Sequence, residues 1–241
     1  MDSQVLLLAV KSSILSHRLL CSSMENTTDI LKKTSAFVLD LLHAKLPPHL
    51  LYHNPSHSEE VAHNCRTLAL ASDMNSEEVE IVQLAGWFHD TGYIDRTDGH
   101  EARGVELMED FLQQMHYPVV RRTIIAGCIR ATKMPQSPHS PLEEIVCDAD
   151  LLNFGTDAFF EKNNLIRGEL EFLNGKRFAD IEWLQRSEQL LLRHHFHAAQ
   201  IERMYQPGRE KNLSKIRSMI SNISPEKCCT AAMTTGTQAT H

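Results

Sequence analysis

The adjacent residues His89 and Asp90 are the pair in this sequence best suited to chemistry. An imidazole nitrogen and a carboxylate oxygen on neighbouring residues can bind the same divalent metal ion. The pair follows the apolar run Leu84-Ala85-Gly86-Trp87-Phe88, which predicts the end of a buried helix. We expect Gly92 to supply the bend that lets both side chains reach one ion.

Further metal ligands are predicted on both sides of this pair. Upstream, His57 lies in the first turn of a predicted helix. Downstream, Asp148 and Asp150 stand in the apolar stretch Cys147-Asp148-Ala149-Asp150-Leu151-Leu152, where an unpaired carboxylate is costly and a metal ion removes that cost. Residues two apart on a helix point about 200° apart, so at most one of the two aspartates faces the ion. Periodicity does not choose between them.

The ordered set of ligands resembles that of the HD superfamily of metal-dependent phosphohydrolases. Further sequence motifs are similar to those of a bacterial-type branch described as predicted HD phosphohydrolases, and the resemblance covers roughly residues 30–220. These motifs are Trp87-Phe88-His89-Asp90-Thr91-Gly92-Tyr93, His100-Glu101, Ile129-Arg130-Ala131-Thr132-Lys133, Asp148-Ala149-Asp150-Leu151 and Arg167-Gly168-Glu169. Carried over by position, the resemblance implies an all-helical fold and the metal ligands His57, His89, Asp90 and Asp150. It selects Asp150 over Asp148.

The resemblance also implies a reaction, the cleavage of a phosphate ester of a small, nucleotide-like substrate by a metal-activated water. Asp90 would orient the water as well as bind the ion. Tyr52-His53-Asn54 is similar to the first motif of the cyclic-nucleotide phosphodiesterases, in which the equivalent histidine protonates the leaving oxygen. The resemblance assigns that role to His53. The cations Arg130, Lys133 and Arg167 are candidates for holding the substrate phosphate.

A second metal ion is less well supported by the sequence. His100 could supply one ligand for it, but the helix predicted from Pro118 to Thr132 contains no histidine. Cys128 or a water would have to substitute, so one tightly bound ion is the simpler expectation. His and Asp ligands suit Mn, Fe, Co, Zn and Mg, and they leave the identity of the metal open.

Two other groups of titratable residues are expected to be structural. Glu169 lies beside Arg167 and is expected to pair with it. The run His194-His195-Phe196-His197 places two histidines on one helix face without a carboxylate, and we interpret it as polar helix surface.

Capping signals predict an all-α protein with one compact domain over residues 26–223. Asn54-Pro55 opens a helix through about Ser72; Asn75 with Glu78 and Asp98 with Glu101 form capping boxes for helices ending at His89 and Met115. Ser140-Pro141 opens another, and further helices are expected at about 156–174, 178–205 and 209–222. We expect residues 1–25 to be a flexible extension and residues 224–241 a disordered tail.

The composition excludes several classes of protein. The formal charge of −7 argues against nonspecific nucleic-acid binding, and no apolar run has the length of a membrane span. The six cysteines have no CxxC spacing, which favours reduced thiols and a cytoplasmic location. Organelle import through residues 1–24 is the weaker alternative, and the oligomeric state is not predicted.

Two functions other than phosphate-ester hydrolysis remain open at this point. One is an HD-type oxygenase or lyase that uses iron, and the other is a non-catalytic nucleotide-binding HD protein. The intact ligand set argues against the second. We also expect Asp90→Ala or Asp150→Ala to leave the stability of the metal-free protein unchanged or to increase it, because either substitution removes clustered negative charge.

Overall fold

The computed structural model describes residues 28–223, and every regular element in that range is helical. The α-helices are α1 (Asp29–Lys45), α2 (Pro55–Ala71), α3 (Ser76–Phe88), α4 (His100–Gln114), α5 (Val119–Ala131), α6 (Pro141–Asp150), α7 (Phe159–Asn174), α8 (Asp180–Arg193) and α9 (Ala199–Ile223). Short 3-10 helices follow α3 and α6, at Thr91–Ile94 and Leu152–Gly155. The predicted all-α class is confirmed. The expected N-terminal extension, residues 1–25, and the expected C-terminal tail, residues 224–241, lie outside the described residues.

Local capping chemistry sets most of the helix starts. The Asn54 side chain accepts the backbone N–H of His57, with Pro55 in the first turn of α2. Asn75 and Glu78 form the predicted capping box of α3. At α6 the Ser140 hydroxyl accepts the N–H of Glu143, as expected.

Two predicted helix boundaries are wrong. The Asp98–Glu101 capping box does not form: α4 begins at His100, and its N-cap is Gly99 in the left-handed conformation. The helix predicted at 178–205 ends at Arg193, and α9 instead runs from Ala199 through Pro207 to Ile223. The break predicted between residues 205 and 209 lies instead at 194–198, where a tertiary contact stabilises it.

That contact comes from Asp148. Its carboxylate accepts the backbone N–H groups of His197 and Ala198 at 2.7 and 2.9 Å, just before α9 begins. The side chain is fully buried and acts as a cap supplied by another helix. Asp148 is therefore committed to the α8–α9 connection, while Asp150 is left for the cluster described below.

Asp148→Ala should lower the free energy of unfolding by about 1–3 kcal/mol, because two N–H groups lose a buried acceptor. Burial raises the pKa of Asp148 to about 7, so ionisation opposes folding and the contribution of this side chain falls as the pH rises toward 7. Urea denaturation should therefore be measured at about pH 5. The exposed Asp110, on α4, provides the matched control as Asp110→Ala. Equal stability of the two variants would contradict this role for Asp148.

Close helix packing brings the predicted ligands together. Helices α2, α3 and α6 pack against one another. A Cβ on Gly86 would lie 2.9 Å from the Ala62 Cα, so glycine allows α3 to approach α2 closely. Gly92 has a different role from the one predicted. The chain turns at Asp90, and a Cβ on Gly92 would lie 2.0 Å from the carbonyl oxygen of His100, so this glycine admits the start of α4.

The histidine run is not a helix surface. His194 is the C-cap of α8, and His195–His197 lie in the connection to α9, so the predicted shared helix face does not exist. Within residues 28–223, the cysteines Cys65, Cys128 and Cys147 are buried and free, as predicted for reduced core thiols. No helix in this range is long and apolar enough to cross a membrane.

Candidate metal centre

Four side chains from three helix ends converge on one point. His57 comes from the first turn of α2, His89 and Asp90 from the end of α3, and Asp150 from the end of α6. The His57 Nε2 atom lies 3.3 Å from both Asp90 Oδ2 and Asp150 Oδ1. The His89 Nε2 atom lies 3.1 Å from Asp90 Oδ2 and 3.6 Å from Asp150 Oδ1. The structure thus brings together all four residues that the sequence predicted as ligands.

The buried atoms of this cluster fit a metal ion. His57 Nε2, His89 Nε2 and Asp90 Oδ2 are each inaccessible to solvent and have no hydrogen-bond partner among the described residues. The ligand atoms of these three residues all lie within 4.8 Å of one another. Buried polar atoms normally have partners, and a divalent cation would supply the missing one to all three. Two imidazole nitrogens and carboxylate oxygens suit a transition-metal ion or Mg²⁺.

The orientation of His89 supports this assignment. Its Nδ1 atom lies 2.8 Å from the Gly86 carbonyl oxygen and donates to it. In the neutral imidazole the proton therefore sits on Nδ1, and the lone pair of Nε2 points at the cluster. Metal-binding histidines are commonly fixed in this way.

The electrostatics of the cluster show what balances its carboxylates without a cation. Burial opposes the ionised form of Asp90, but His89, His100 and His57 outweigh it and hold its pKa well below the ordinary value. The pKa of Asp150 is lowered in the same way by His57 and His89. Burial likewise opposes protonation of His57 and His89, and the two aspartates raise the pKa of each. In the metal-free protein, protonated His57 and His89 would therefore balance the charge of the two carboxylates.

These shifts predict how the stability of the metal-free protein depends on pH. A histidine with a raised pKa stabilises the fold fully below about pH 6.5 and loses that contribution as the pH rises. A carboxylate with a lowered pKa contributes fully above about pH 4 and loses that contribution as the pH falls. We therefore expect the contribution of the cluster to be largest between these values and to decline toward pH 9.

The measurement is urea denaturation in EDTA from pH 4 to 9, for the wild type and for Asp90→Asn. Subtracting the variant removes titrations elsewhere in the protein. The difference should shrink as the pH rises above the neutral range. A difference that grows between pH 6.5 and 9 would contradict the assigned pairing.

A second structural unit lies beside the cluster. Glu169, on α7, is only 2% exposed, and its Oε1 atom accepts the backbone N–H groups of Tyr52 and His53, each at 2.9 Å. Its Oε2 atom lies 2.8 Å from His53 Nδ1. The ring centroid of His53 is 5.9 Å from that of His57. The expected pairing of Glu169 with Arg167 is wrong: this carboxylate anchors and orients His53.

His100 extends the cluster on its other side. Its Nε2 atom lies 3.4 Å from Asp90 Oδ1 and 3.6 Å from Glu101 Oε1, while its Nδ1 donates to the Thr97 carbonyl. The ring of Tyr93 stacks on the rings of His100 and His53, with centroid distances of 3.9 and 4.5 Å. Glu101 is buried and directly follows His100, but the sequence assigned it only a capping role.

This arrangement bears on a second metal ion. Asp90 presents Oδ2 to His57 and His89 and Oδ1 to His100, so both of its oxygens face histidines that could hold metal. Cys128, considered as a substitute ligand, lies in the core, and its thiol pKa is raised to about 12 by burial. Glu101 is therefore the better candidate beside His100.

The predicted phosphate-binding cations lie in different surroundings. Arg167 bonds to Glu171 and Asp180, each at 2.8 Å, and is not brought to the cluster. Arg130 and Lys133 are exposed at the end of α5. The sequence did not single out Lys162, whose Nζ atom lies 2.5 Å from Glu60 Oε2 and 5.9 Å from the Tyr52 ring centroid.

Gln136 is a further contact that sequence patterns could not indicate. Its Nε2 atom donates to the Cys147 carbonyl at 3.1 Å and lies 3.5 Å from Asp150 Oδ2. Its Oε1 atom lies 3.3 Å from His197 Nε2. The loop after α5 thus contacts Asp150 through Oδ2, while His57 and His89 face its other oxygen, Oδ1.

Comparison with known proteins agrees with this geometry. Residues 56–154 match the family model of the HD domain, a segment that contains all four clustered ligands. The chain contains an HD domain. The HD resemblance predicted from the sequence is thus confirmed, while His53 and Glu169 lie just outside the matched segment.

A solved structure shares the fold of this HD-domain protein. The crystal structure of a predicted HD superfamily hydrolase from an uncultured Thermotogales bacterium matches with a TM-score of 0.53 and 14% identity. The match covers 78% of this chain and 92% of that chain, which extends the common fold well beyond the HD segment. No curated protein sequence matches.

Proposed function

We propose that this HD-domain protein is a metal-dependent phosphohydrolase that cleaves a phosphate ester of a small, nucleotide-like substrate. The observation that carries the proposal is an anchored imidazole, His53, next to a buried set of unpartnered metal-ligand atoms. Phosphate-ester hydrolysis needs both an electrophilic centre and a proton donor for the leaving oxygen. The name of the Thermotogales protein, a predicted HD superfamily hydrolase, is consistent with this class of reaction.

His57, His89, Asp90 and Asp150 would hold the ion. A divalent cation bound there lowers the pKa of water and neutralises charge on phosphoryl oxygens. The protein's own contribution is to hold these side chains in place before substrate arrives. Asp90 is buried and faces three histidines, so its carboxylate is held in place to accept a hydrogen bond from an attacking water and orient it.

His53 is suited to protonate the leaving oxygen. Glu169 accepts the Nδ1 proton, which places the second titratable nitrogen, Nε2, on the opposite edge of the ring. Stacking against Tyr93 fixes the plane of the imidazole. The same carboxylate binds the main chain of Tyr52 and His53, so backbone and side chain are positioned together.

The charge on the substrate also needs cations from the protein. The Nζ atom of Lys162 lies 5.9 Å from the ring centroid of Tyr52, whose ring is in turn 4.4 Å from that of His57. We propose Lys162 as a phosphate-binding residue together with Lys133 and Arg130, which belong to the exposed end of α5. The nucleotide-like substrate class rests on the resemblance of Tyr52-His53-Asn54 to cyclic-nucleotide phosphodiesterases.

Glu169→Gln should lower kcat by about 10–100-fold, the usual effect of removing an orienting partner. The glutamine oxygen can still accept the two backbone N–H groups, so KM, metal content and the melting temperature should change little. Steady-state kinetics and metal analysis measure this split. A matched control is Glu161→Gln, an exposed glutamate on the same helix. If the fall in kcat of Glu169→Gln were accompanied by a large fall in its melting temperature, a positioning role would be contradicted.

The function itself is tested by a substrate screen. Protein reconstituted separately with Mn, Fe, Co, Zn and Mg should be incubated with nucleoside monophosphates, cyclic nucleotides and simple phosphate esters, with phosphate release or product formation as the readout. Activity that requires metal and is absent from His89→Ala supports the proposal. If no ester is cleaved but the iron-loaded protein consumes O₂ and shows a visible absorption band, an oxygenase is indicated instead.

A further inference from the structure

A cavity of about 550 Å³ lies between α7 and α8, away from the metal ligands. Its walls combine aromatic and aliphatic side chains: Phe154, Phe159, Ile166, Leu170, Trp183 and Leu190. None of His57, His89, Asp90 or Asp150 lines it. Its volume is in the range of small-molecule binding sites, about 300–1,000 Å³. The cavity is therefore a second site, distinct from the candidate metal centre.

Two polar atoms in the cavity wall have no partner among residues 28–223. Trp183 Nε1 and Asn153 Oδ1 are buried without a hydrogen bond, on side chains that are only 6% and 7% exposed. The neighbouring wall residues Asn163 and Ser187 bond to each other at 3.0 Å. A buried indole N–H usually finds an acceptor. A bound molecule that carries an acceptor atom would complete this wall.

The rim of the cavity carries charge. Arg193 and Arg186 are exposed there, and no ion pair or hydrogen bond of Arg193 is found within the described part of the chain. The Arg186 guanidinium lies 4.7 Å from the Phe178 centroid and 4.0 Å from Glu182, the acid at the same rim. Two arginines against one glutamate leave a net positive rim.

We propose that this cavity binds an amphipathic anion. The apolar body of the ligand, of the size of one or two fused rings, lies among the aromatic and aliphatic walls. An acceptor atom of the ligand takes the Trp183 N–H, and its carboxylate, sulfonate or phosphate group lies at Arg193. The site is independent of the proposed hydrolase activity, although Ile166 and Leu170 in its wall share α7 with Glu169.

The probe is 1-anilinonaphthalene-8-sulfonate, which has a fused-ring body and one sulfonate. Calorimetric titration of the full-length, cooperatively folded protein should give one molecule bound per chain. Hydrogen–deuterium exchange should show protection confined to α7, α8 and the 3-10 helix at Leu152–Gly155. Binding should be the same with and without divalent metal.

Three variants test the assigned contacts. Ile166→Trp fills the cavity and should abolish binding, while Trp183→Phe removes the N–H donor together with part of the aromatic wall and should weaken it. Arg193→Glu should weaken binding by about fivefold, the scale of an exposed charge pair. Lys176→Glu makes the same charge change at an exposed residue of the α7–α8 connection that does not line the cavity, and should have no effect.

The proposal is overturned if the probe does not bind, or if exchange protection maps to another surface. It is also overturned if Arg193→Glu and Lys176→Glu bind with equal affinity. Arg193 is on the surface, so this comparison stands even if Ile166→Trp fails to fold. A loss of metal binding in any of the cavity variants would contradict the separation of the two sites.

Discussion

His89→Ala is expected to abolish stoichiometric metal binding and hydrolase activity together. The variant removes one of the two clustered imidazoles, His57 and His89, whose Nε2 atoms are buried without a hydrogen-bond partner among residues 28–223. Even outer partners of metal ligands change metal affinity by about 10–100-fold, so the loss of a direct ligand should exceed that. Metal analysis after dialysis and calorimetric titration with Mn²⁺ measure the first effect independently of any substrate.

Two further variants make this result interpretable. His63→Ala removes an exposed histidine of α2, the helix that carries His57, and should bind metal as the wild type does. Asp90→Asn keeps the shape of its side chain but loses the charge, and it covers the case in which His89→Ala does not fold. Normal metal content in His89→Ala, or equal losses in His89→Ala and His63→Ala, would remove the basis for the metal centre.

His53→Ala is expected to lower kcat by about 10²–10⁴-fold on esters with a poor leaving group, the range for loss of a general acid. On p-nitrophenyl phosphate the loss should be much smaller, because that leaving group departs without being protonated. Metal content should not change, since His53 contacts Glu169 and Tyr93 and is not one of the clustered ligands.

The comparison of leaving groups is the decisive part of this prediction. Equal losses on both classes of ester would mean that His53 shapes the site and does not donate a proton. A parallel series in Glu169→Gln should show the same dependence on the leaving group, because the carboxylate acts through His53. His49→Ala, which removes a ring stacked on Phe172 outside the cluster, serves as the control.

The structure reverses the expected effect of removing a cluster aspartate from the metal-free protein. The sequence suggested that Asp90→Ala would relieve repulsion between acids. In the structure Asp90 faces His57, His89 and His100, so its removal leaves buried histidines without their carboxylate. Breaking a buried pair in this way is destabilising. We therefore expect Asp90→Ala to be less stable than the wild type without metal, most clearly below neutral pH.

Some of the site followed from the sequence because its signals are local. The signals are an N-cap, a proline in the first turn, and an apolar run that ends at His89-Asp90. Each consists of neighbouring residues, and together they located the helix ends that carry the ligands. The all-α class followed from the same capping signals. The order of ligands along the chain was sufficient to indicate the HD domain, whose family model matches residues 56–154.

Other assignments needed contacts between residues far apart in the chain. Asp148 and Asp150 are equivalent by periodicity, and only the position of the α8–α9 connection commits Asp148 to capping. Glu169 could pair with Arg167 by spacing, but α7 carries it to His53, more than a hundred residues away. The helix break predicted between residues 205 and 209 lies earlier, at 194–198, where Asp148 accepts the backbone N–H groups before α9.

The sequence alone therefore determined the fold class and the helix ends that carry His57, His89 and Asp90, because these depend on short-range patterns of capping, burial and residue type. The choice of Asp150 over Asp148 and the assignment of His53 as proton donor came from the resemblance to the HD superfamily. Only the tertiary structure decided which acid orients His53, which carboxylate lies beside His100, and that a second cavity exists between α7 and α8. These features arise where separate helices meet, and the packing of their side chains sets the distances that no single segment of the chain records.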